Sequence, residues 1–417
     1  MDRRDFLKSA LAVAALAPVA GLAAGKTTAP ASERGKVTRR RYRDTDATVP
    51  LLGYGMMRMP RVSPESPEID AVTGQKLIDR AMEAGINYFD TAYMYHGGRS
   101  EVFAGSALAK YPRDSYYLTD KMPPWLVRKS SDVERIFREQ LERCRTDHFD
   151  FYLLHSLNAS HWKMVEKHRI CEKLEKLKKA GAIRRLGFSF HDSPEVLKTV
   201  AEARPWDFAQ IQLNYFDWET YRSREQYELL TKLGIPVIVM EPLRGGALAK
   251  LTPQAVKVLR EADPDASAAS WALRFAASLP NVLCVLSGMT LPEHLEDNIR
   301  TFSPFRPLSD AERKKLAEAL VVYRKAAAVP CTACRYCMPC PAGVEIPRIF
   351  GLYNQYKVDR NAWMFSGALR ALGEDGQPDS CVNCGRCVKL CPQKIDIPKE
   401  LNKIAAEIAN LSRRRRR

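Results

Sequence analysis

Eight of the eleven cysteines lie in two short runs near the C-terminus. One run places Cys331, Cys334, Cys337 and Cys340 before Pro341; the other places Cys381, Cys384, Cys387 and Cys391 before Pro392. The second has the spacing C-x2-C-x2-C-x3-C-P, in which four thiolates wrap an iron–sulfur cubane and the proline turns the chain away behind them. The first is one residue shorter, because only Met338 and Pro339 separate Cys337 from Cys340. Paired zinc ribbons would need pairs of C-x2-C rather than runs of four. These residues can pass single electrons through [4Fe-4S] clusters: at least one, and two if the shortened run holds its own. Cys144, Cys171 and Cys284 are scattered in helix- or strand-like stretches and read as small buried hydrophobes.

A second set of reactive side chains lies far upstream. Asp90, Tyr95, Lys121 and His155 follow or end short apolar runs. Eight such runs occur, at 51–57, 86–92, 116–122, 149–156, 183–190, 208–215, 235–243 and 282–288. Helical periodicity fills the gaps, at 71–84, 101–110, 131–145, 162–180, 194–203, 220–233, 266–278 and 292–300. Eight strand–helix units predict an α/β fold, a (β/α)8 TIM barrel with helices outside. Residues 37–43 form a short basic strand expected to cap the barrel bottom.

Barrel enzymes work at the C-terminal ends of their strands. The four residues stand at the ends of consecutive strands and therefore face one mouth. Lys121 at an apolar strand end needs a counter-charge, and Asp90 can supply it. A lysine cation beside Tyr95 favours phenolate, so the tyrosine pKa is expected to fall. A tyrosine so tuned gives a proton to a carbonyl oxygen and takes it back from an alcohol. His155 then orients the carbonyl. Any one of these residues alone would more often be structural; it is the set that argues for chemistry.

The blocks INYFDTAYMYHGGRSE, YLTDKMP, DFYLLHS, LGFSFHD and IQLNYFD occur in order. With them the chain resembles an aldo/keto reductase, of the exported bacterial branch that carries an appended ferredoxin-like domain. The resemblance implies a tetrad of Asp90, Tyr95, Lys121 and His155, with the tyrosine as proton donor in hydride transfer between a carbonyl and an alcohol. It also implies NAD(P)(H), with Ser189 and Gln212 on the carboxamide, the turn at Leu243 and Gly245 on the pyrophosphate, and Asn298 on the adenine. NADP-preferring members carry a lysine and an arginine where this chain has Gly288 and His294. The 2′-phosphate preference therefore does not carry over, and Arg244 and Arg300 are the cations left to replace that pair. In two-cluster ferredoxins the fourth cysteine of each run crosses to the other cluster. That implies Cys331, Cys334, Cys337 and Cys391 in one set, and Cys381, Cys384, Cys387 and Cys340 in the other. The 40-residue spacer is helical in pattern, with Ile349, Leu352, Tyr353 and Tyr356 on one face.

The N-terminus reads as an address rather than as fold. Arg3 and Arg4 precede an Ala-rich stretch free of charge from Ser9 to Gly25, which reads as a twin-arginine export signal. That route moves folded proteins, which suits a protein whose cluster is inserted inside the cell, and places this one in the periplasm. The expected organisation is a signal at 1–25, the barrel at 36–325, a small, mainly helical ferredoxin-like iron–sulfur domain at 326–411 and a basic tail at 412–417. The net charge is +16. For an exported redox protein this balance argues against nucleic acid and suits an anionic membrane surface or an acidic partner. The expected partners are a small carbonyl or alcohol substrate, an electron-transfer partner and the twin-arginine export machinery. A second reading keeps the barrel as a scaffold for an electron-transfer or docking protein; the intact tetrad speaks against it.

Overall fold

Alternation along each strand decides which side chains enter the barrel and which meet the helices. The computed structural model describes residues 36–63, 66–324, 328–359 and 362–415. The expected export signal lies outside them. A hairpin of β1 (Arg39–Arg41) and β2 (Thr48–Pro50) comes first. Eight parallel strands then close a barrel: β3 (Leu52–Gly55), β4 (Tyr88–Asp90), β5 (Tyr117–Met122), β6 (Phe151–Leu157), β7 (Leu186–Phe190), β8 (Phe208–Gln212), β9 (Val237–Met240) and β10 (Val282–Ser287). Each strand pairs with the next, and β10 closes on β3.

The barrel interior is a packed core. Tyr88, Phe151, Leu153, Phe208, Ile238, Cys284 and Leu286 fill it, and Tyr42 and Val49 of the hairpin region seal it from below. Counting by twos from these residues leads upward to the mouth: Tyr88 to Asp90, Phe151 and Leu153 to His155, Phe208 to Gln210 and Gln212. The same pleat that buries the aromatic layer thus delivers polar side chains at the top.

The basic strand is structural. Arg40 donates to the carbonyls of Ala277, Leu279 and Val282, and Arg43 donates to that of Trp206. These arginines satisfy helix and strand ends at the barrel floor. Much of the positive charge near the N-terminus is therefore spent within the fold.

Two features depart from the sequence expectation. The helix expected at 162–180 breaks in two, Ala159–Lys167 and Ile170–Lys179, at Arg169 with φ +54°. Two further helices, Pro253–Arg260 and Asp310–Arg324, pack against each other on the barrel's flank. Beyond the barrel, helices Ile346–Asp359, Ala362–Arg370, Arg386–Leu390 and Ile397–Arg415 surround a separate core of Val344, Ile349, Phe350, Tyr353, Leu401 and Ile404. The last helix carries the first three arginines of the basic tail.

Candidate active site

The second domain sits on the C-terminal mouth of the barrel, so the candidate site has a floor from one unit and a roof from the other. The floor is the tetrad. Lys121, 1% exposed in its side chain, places its ammonium 2.6 Å from Asp90 Oδ1 and also donates to the carbonyl of Thr91. That ammonium lies 4.8 Å from the Tyr95 ring centroid. The loop after β4 reverses through His96 and Gly97, both at positive φ, which sets Tyr95 over the mouth. His96 accepts from the backbone N–H of Met59 and anchors that loop. The His155 ring stands edge-on to Tyr95, with centroids 6.0 Å apart, and Trp125 packs on His155 at 5.2 Å. The four residues read from strand ends are thus brought together.

Their electrostatics differ from the expectation in one respect. Burial pushes the Tyr95 phenol well above its usual value, and the negative charges of Asp90, Glu241 and Asp120 push the same way, with only Arg58 opposing. The expected fall does not occur, because the Lys121 cation is bound up in its contact with Asp90 while Tyr95 is desolvated among carboxylates. A phenol held in its protonated form is ready to donate and reluctant to accept. Burial also raises the Asp90 carboxyl, with Lys121 pulling back. Burial lowers His155 well below the imidazole range, and Lys121, His191 and His161 add to this. His155 is therefore a neutral hydrogen-bonding group, not a cation.

The roof comes from the cysteine-rich domain. Cys331, Thr332, Ala333, Cys334 and Tyr336 line the same cavity as Asp90, Tyr95, Lys121 and His155, a space of about 800 Å³. The Tyr336 hydroxyl lies 3.4 Å from His155 Nε2. Arg58 donates to the Thr332 carbonyl and Arg244 to that of Pro330. Gly245, at φ +66°, presses so close that a Cβ there would stand 2.0 Å from the Thr332 oxygen. Glu241, at the end of β9, also faces the cavity. Burial raises its carboxyl, Arg58 opposes at 3.9 Å, and its Oε2 has no partner among the described residues.

Sequence reasoning missed Glu241, Tyr336, Trp125 and Gln393. Glu241 was absorbed into too long a strand, 235–243, although the strand-end rule would have singled it out. Tyr336 sits inside the first cysteine run and Gln393 just behind the second, where only the ligands carry a signal.

The residues expected to bind a nicotinamide cofactor divide into two groups. Toward the adenosine end the groove is open: Leu243, Gly245, Gly288, His294 and Asn298 line the cavity. Asn298 is held by a hydrogen bond to Ser287 Oγ. Arg244 is paired with Asp217, and Arg300 with Asp297. At the carboxamide end the residues are already engaged. Ser189 Oγ accepts from the backbone N–H of Ser156 at 2.6 Å. Gln212 donates to Asp217 and exchanges two hydrogen bonds with Gln393, at 3.0 and 2.7 Å. Gln393, not Gln212, faces the cavity. A nicotinamide carboxamide does not fit on Gln212 while Gln393 is there.

The electrostatic neighbours of the thiols follow the grouping expected for crossed sets. Cys331, Cys334, Cys337 and Cys391 lie within one another's electrostatic reach. Cys387 in turn feels Cys381, Cys340 and Cys384. All eight are free of disulfides. Burial pushes the Cys334 and Cys337 thiols up to about 12, so metal binding must displace protons there. The Ala333 N–H donates to Cys331 Sγ from a left-handed backbone, a bond of the kind that orients a ligating sulfur. Eight thiols in two four-cysteine runs are the donor set of iron–sulfur cubanes, although no three of the described His, Cys, Asp or Glu side chains are gathered here as ligands of one ion.

Known proteins agree with both halves. Residues 51–321 match the aldo/keto reductase family, and residues 330–397 match a 4Fe-4S dicluster domain. An uncharacterized oxidoreductase of Bacillus subtilis is 28% identical over 272 residues, 58% of this chain and 85% of that protein. The NADH-specific methylglyoxal reductase of Escherichia coli is 27% identical over 330 residues, 66% of this chain and 97% of that protein. Among solved structures, the holo form of an aldo-keto reductase from Bacillus halodurans superposes with a TM-score of 0.57 at 25% identity, covering 68% of this chain and 96% of that one. The barrel with its tetrad-bearing mouth is that of an oxidoreductase, and the chain belongs to the aldo/keto reductase family, with a 4Fe-4S dicluster domain following the barrel.

Proposed function

We propose that this chain interconverts a carbonyl and an alcohol at Tyr95 and exchanges single electrons with an outside carrier through its cysteine-rich domain. The observation that carries the reading is the Asp90–Lys121–Tyr95–His155 constellation inside a cavity roofed by Cys331 and Cys334. In reduction, neutral His155 and Tyr95 hold the carbonyl oxygen, and the protonated phenol gives it a proton. Trp125 and Tyr336 fix the His155 ring. Lys121, neutralised by Asp90, keeps a balanced charge behind the phenol. The raised phenol keeps the proton-donating form of Tyr95 present at neutral pH. Two [4Fe-4S] clusters, when bound by the two crossed cysteine sets, supply one-electron chemistry at the roof of the cavity. Hydride transfer from NAD(P)H, the donor its relatives suggest, requires Gln393 to leave Gln212.

The test is anaerobic purification of the mature protein, then EPR of the reduced form and a panel of aldehydes, ketones and quinones. No turnover of any carbonyl with either a nicotinamide or a chemically reduced protein as donor would favour the scaffold reading instead. Export through the twin-arginine route to the periplasm completes the proposal. Replacing Arg3 and Arg4 by lysine should leave the protein in the cytoplasm; normal periplasmic recovery would refute that part.

A further inference from the structure

Gln393 follows Cys391 and Pro392 on the turn behind the last ligand of the first crossed set. Its side chain ends in the same carboxamide group that a nicotinamide ring carries. It meets the Gln212 carboxamide in a reciprocal pair, Nε2 to Oε1 in both directions, at 2.7 and 3.0 Å. Gln212 is fully buried and gives its other N–H to Asp217, so both hydrogen-bonding ends of its amide are used. Nearby, the Tyr221 hydroxyl donates to the Pro392 carbonyl at 3.3 Å, and Lys394 stands 3.6 Å from Asp192. The turn is thus pinned to the barrel on both sides of Gln393.

We propose that Gln393 is a built-in occupant of the carboxamide subsite, so that the holoprotein reduces its substrate without a nicotinamide ring. This rests on the carbonyl-reductase reading above and adds the source of the electrons and the class of substrate. A cavity without a hydride donor, roofed by a one-electron domain, serves a carbonyl that can accept electrons one at a time. A quinone fits that chemistry, because conjugation spreads the first added electron. Two C=O π bonds are lost, the ring becomes aromatic, and two O–H bonds form. One proton comes from Tyr95 and the other from solvent. The two electrons come singly from a low-potential one-electron carrier that docks on the cysteine-rich domain, each transfer oxidising one carrier. The aromatic rings of Tyr95, His155 and Tyr336 border the space in which such a ring would lie.

The experiment uses the iron-loaded protein. Binding of NADH and NADPH is measured by equilibrium dialysis, for wild type and for Gln393→Ala, with iron content checked in both. Wild type should bind neither nucleotide appreciably, and Gln393→Ala should bind one of them about ten-fold more tightly or better. In a second arm, chemically reduced wild type is mixed with 2-methyl-1,4-naphthoquinone and the EPR signal followed; two spins should be lost per hydroquinone formed. Tight nucleotide binding by wild type would overturn the inference and needs no variant to fold. So would an iron-replete Gln393→Ala that gains no binding, or a reduced protein whose spins survive the quinone. Failure of the parent reading looks different: Tyr95→Phe would then reduce carbonyls as fast as wild type, whatever the nucleotide result.

Discussion

Replacing Tyr95 by phenylalanine separates chemistry from stability unusually well at this position. Among the described residues the Tyr95 hydroxyl has no hydrogen-bond partner, and the ring makes the contacts, with the Lys121 ammonium and the edge of His155. Removing the hydroxyl therefore breaks no bond of the fold, and stability should change by less than about 1 kcal/mol. Carbonyl reduction should fall by ~10²–10⁴, the contribution of a positioned general acid, which is about 3–5 kcal/mol of barrier. The pH profile carries the independent check. The phenol pKa is raised, so the donating form is fully present below its ordinary value and is lost only as pH rises through the elevated one. Wild-type reduction should then be level from about pH 6 to pH 9, since the ordinary phenol value is already about 10. The reverse reaction, which needs the phenolate, should climb across the same range. The assay is initial rate on any carbonyl that wild type turns over, alongside a urea melt. Full activity in Tyr95→Phe would refute the assignment. A reductive limb falling near neutral pH would refute the electrostatic argument while leaving the residue in place.

Other outcomes test the surroundings. Lys121→Met leaves Asp90 buried without its cation, and Asp90 Oδ2 already has no partner among the described residues; loss of about 3–5 kcal/mol is expected in denaturant titration, and a loss below about 1 kcal/mol would mean the pair is wetter than described. Gly245→Ala puts a Cβ into the Thr332 carbonyl and should loosen the roof, seen as faster proteolysis between the two units, whereas Gly246→Ala, with open space around its Cβ, should cost only the ~1 kcal/mol of a left-handed backbone. Iron analysis should give about eight atoms per chain, falling to about four in Cys384→Ser, by the ligand count of two cubanes; about four in wild type would mean that the shortened first run leaves one set unfilled.

The barrel was legible because its signal is repeated. Eight apolar runs at regular spacing leave few alternatives, and a period-two pleat with aromatic residues at the bottom fixes which strand ends point inward. Asp90, Lys121 and His155 followed from that rule, and Tyr95 from its place in the loop just beyond the end of β4. The misreadings have physical causes. Strand length is poorly marked where apolar residues run on into a loop, so β9 was drawn through Glu241 and its carboxyl was lost from view. The helix at 162–180 keeps its apolar spacing across the break, so nothing periodic announces the left-handed Arg169. The Tyr95 shift was misjudged because a sequence shows that a lysine is near but not that its charge is already held at 2.6 Å by Asp90. Contacts between the two units were the least legible. Thr332, Tyr336 and Gln393 have no periodicity and no motif of their own; their partners are 87 to 181 residues away along the chain in the cases of Gly245, His155 and Gln212.

Those contacts bear on the tension between a two-electron barrel and a one-electron domain. The residues that close the mouth are interleaved with the ligands: Thr332 lies between Cys331 and Cys334, Tyr336 beside Cys337, and Gln393 two residues after Cys391. No change in how the first cysteine set is ordered can leave the cavity wall untouched. Buried thiols pushed to about 12 resist ionising on their own, so ordering of these loops and metal binding are coupled, as in small metal-stabilised domains. The floor touches the roof through the contact of Tyr336 with His155 and is otherwise set by the barrel. Asp90, Lys121 and His155 are fixed by the barrel's own strands, and Tyr95 by the loop after β4. Pocket shape is therefore a property of the joined protein, while the side chains of the tetrad are carried by the barrel. On the proposed reading, such a cavity would keep a proton donor on the barrel while the cysteine-rich domain sets what faces it.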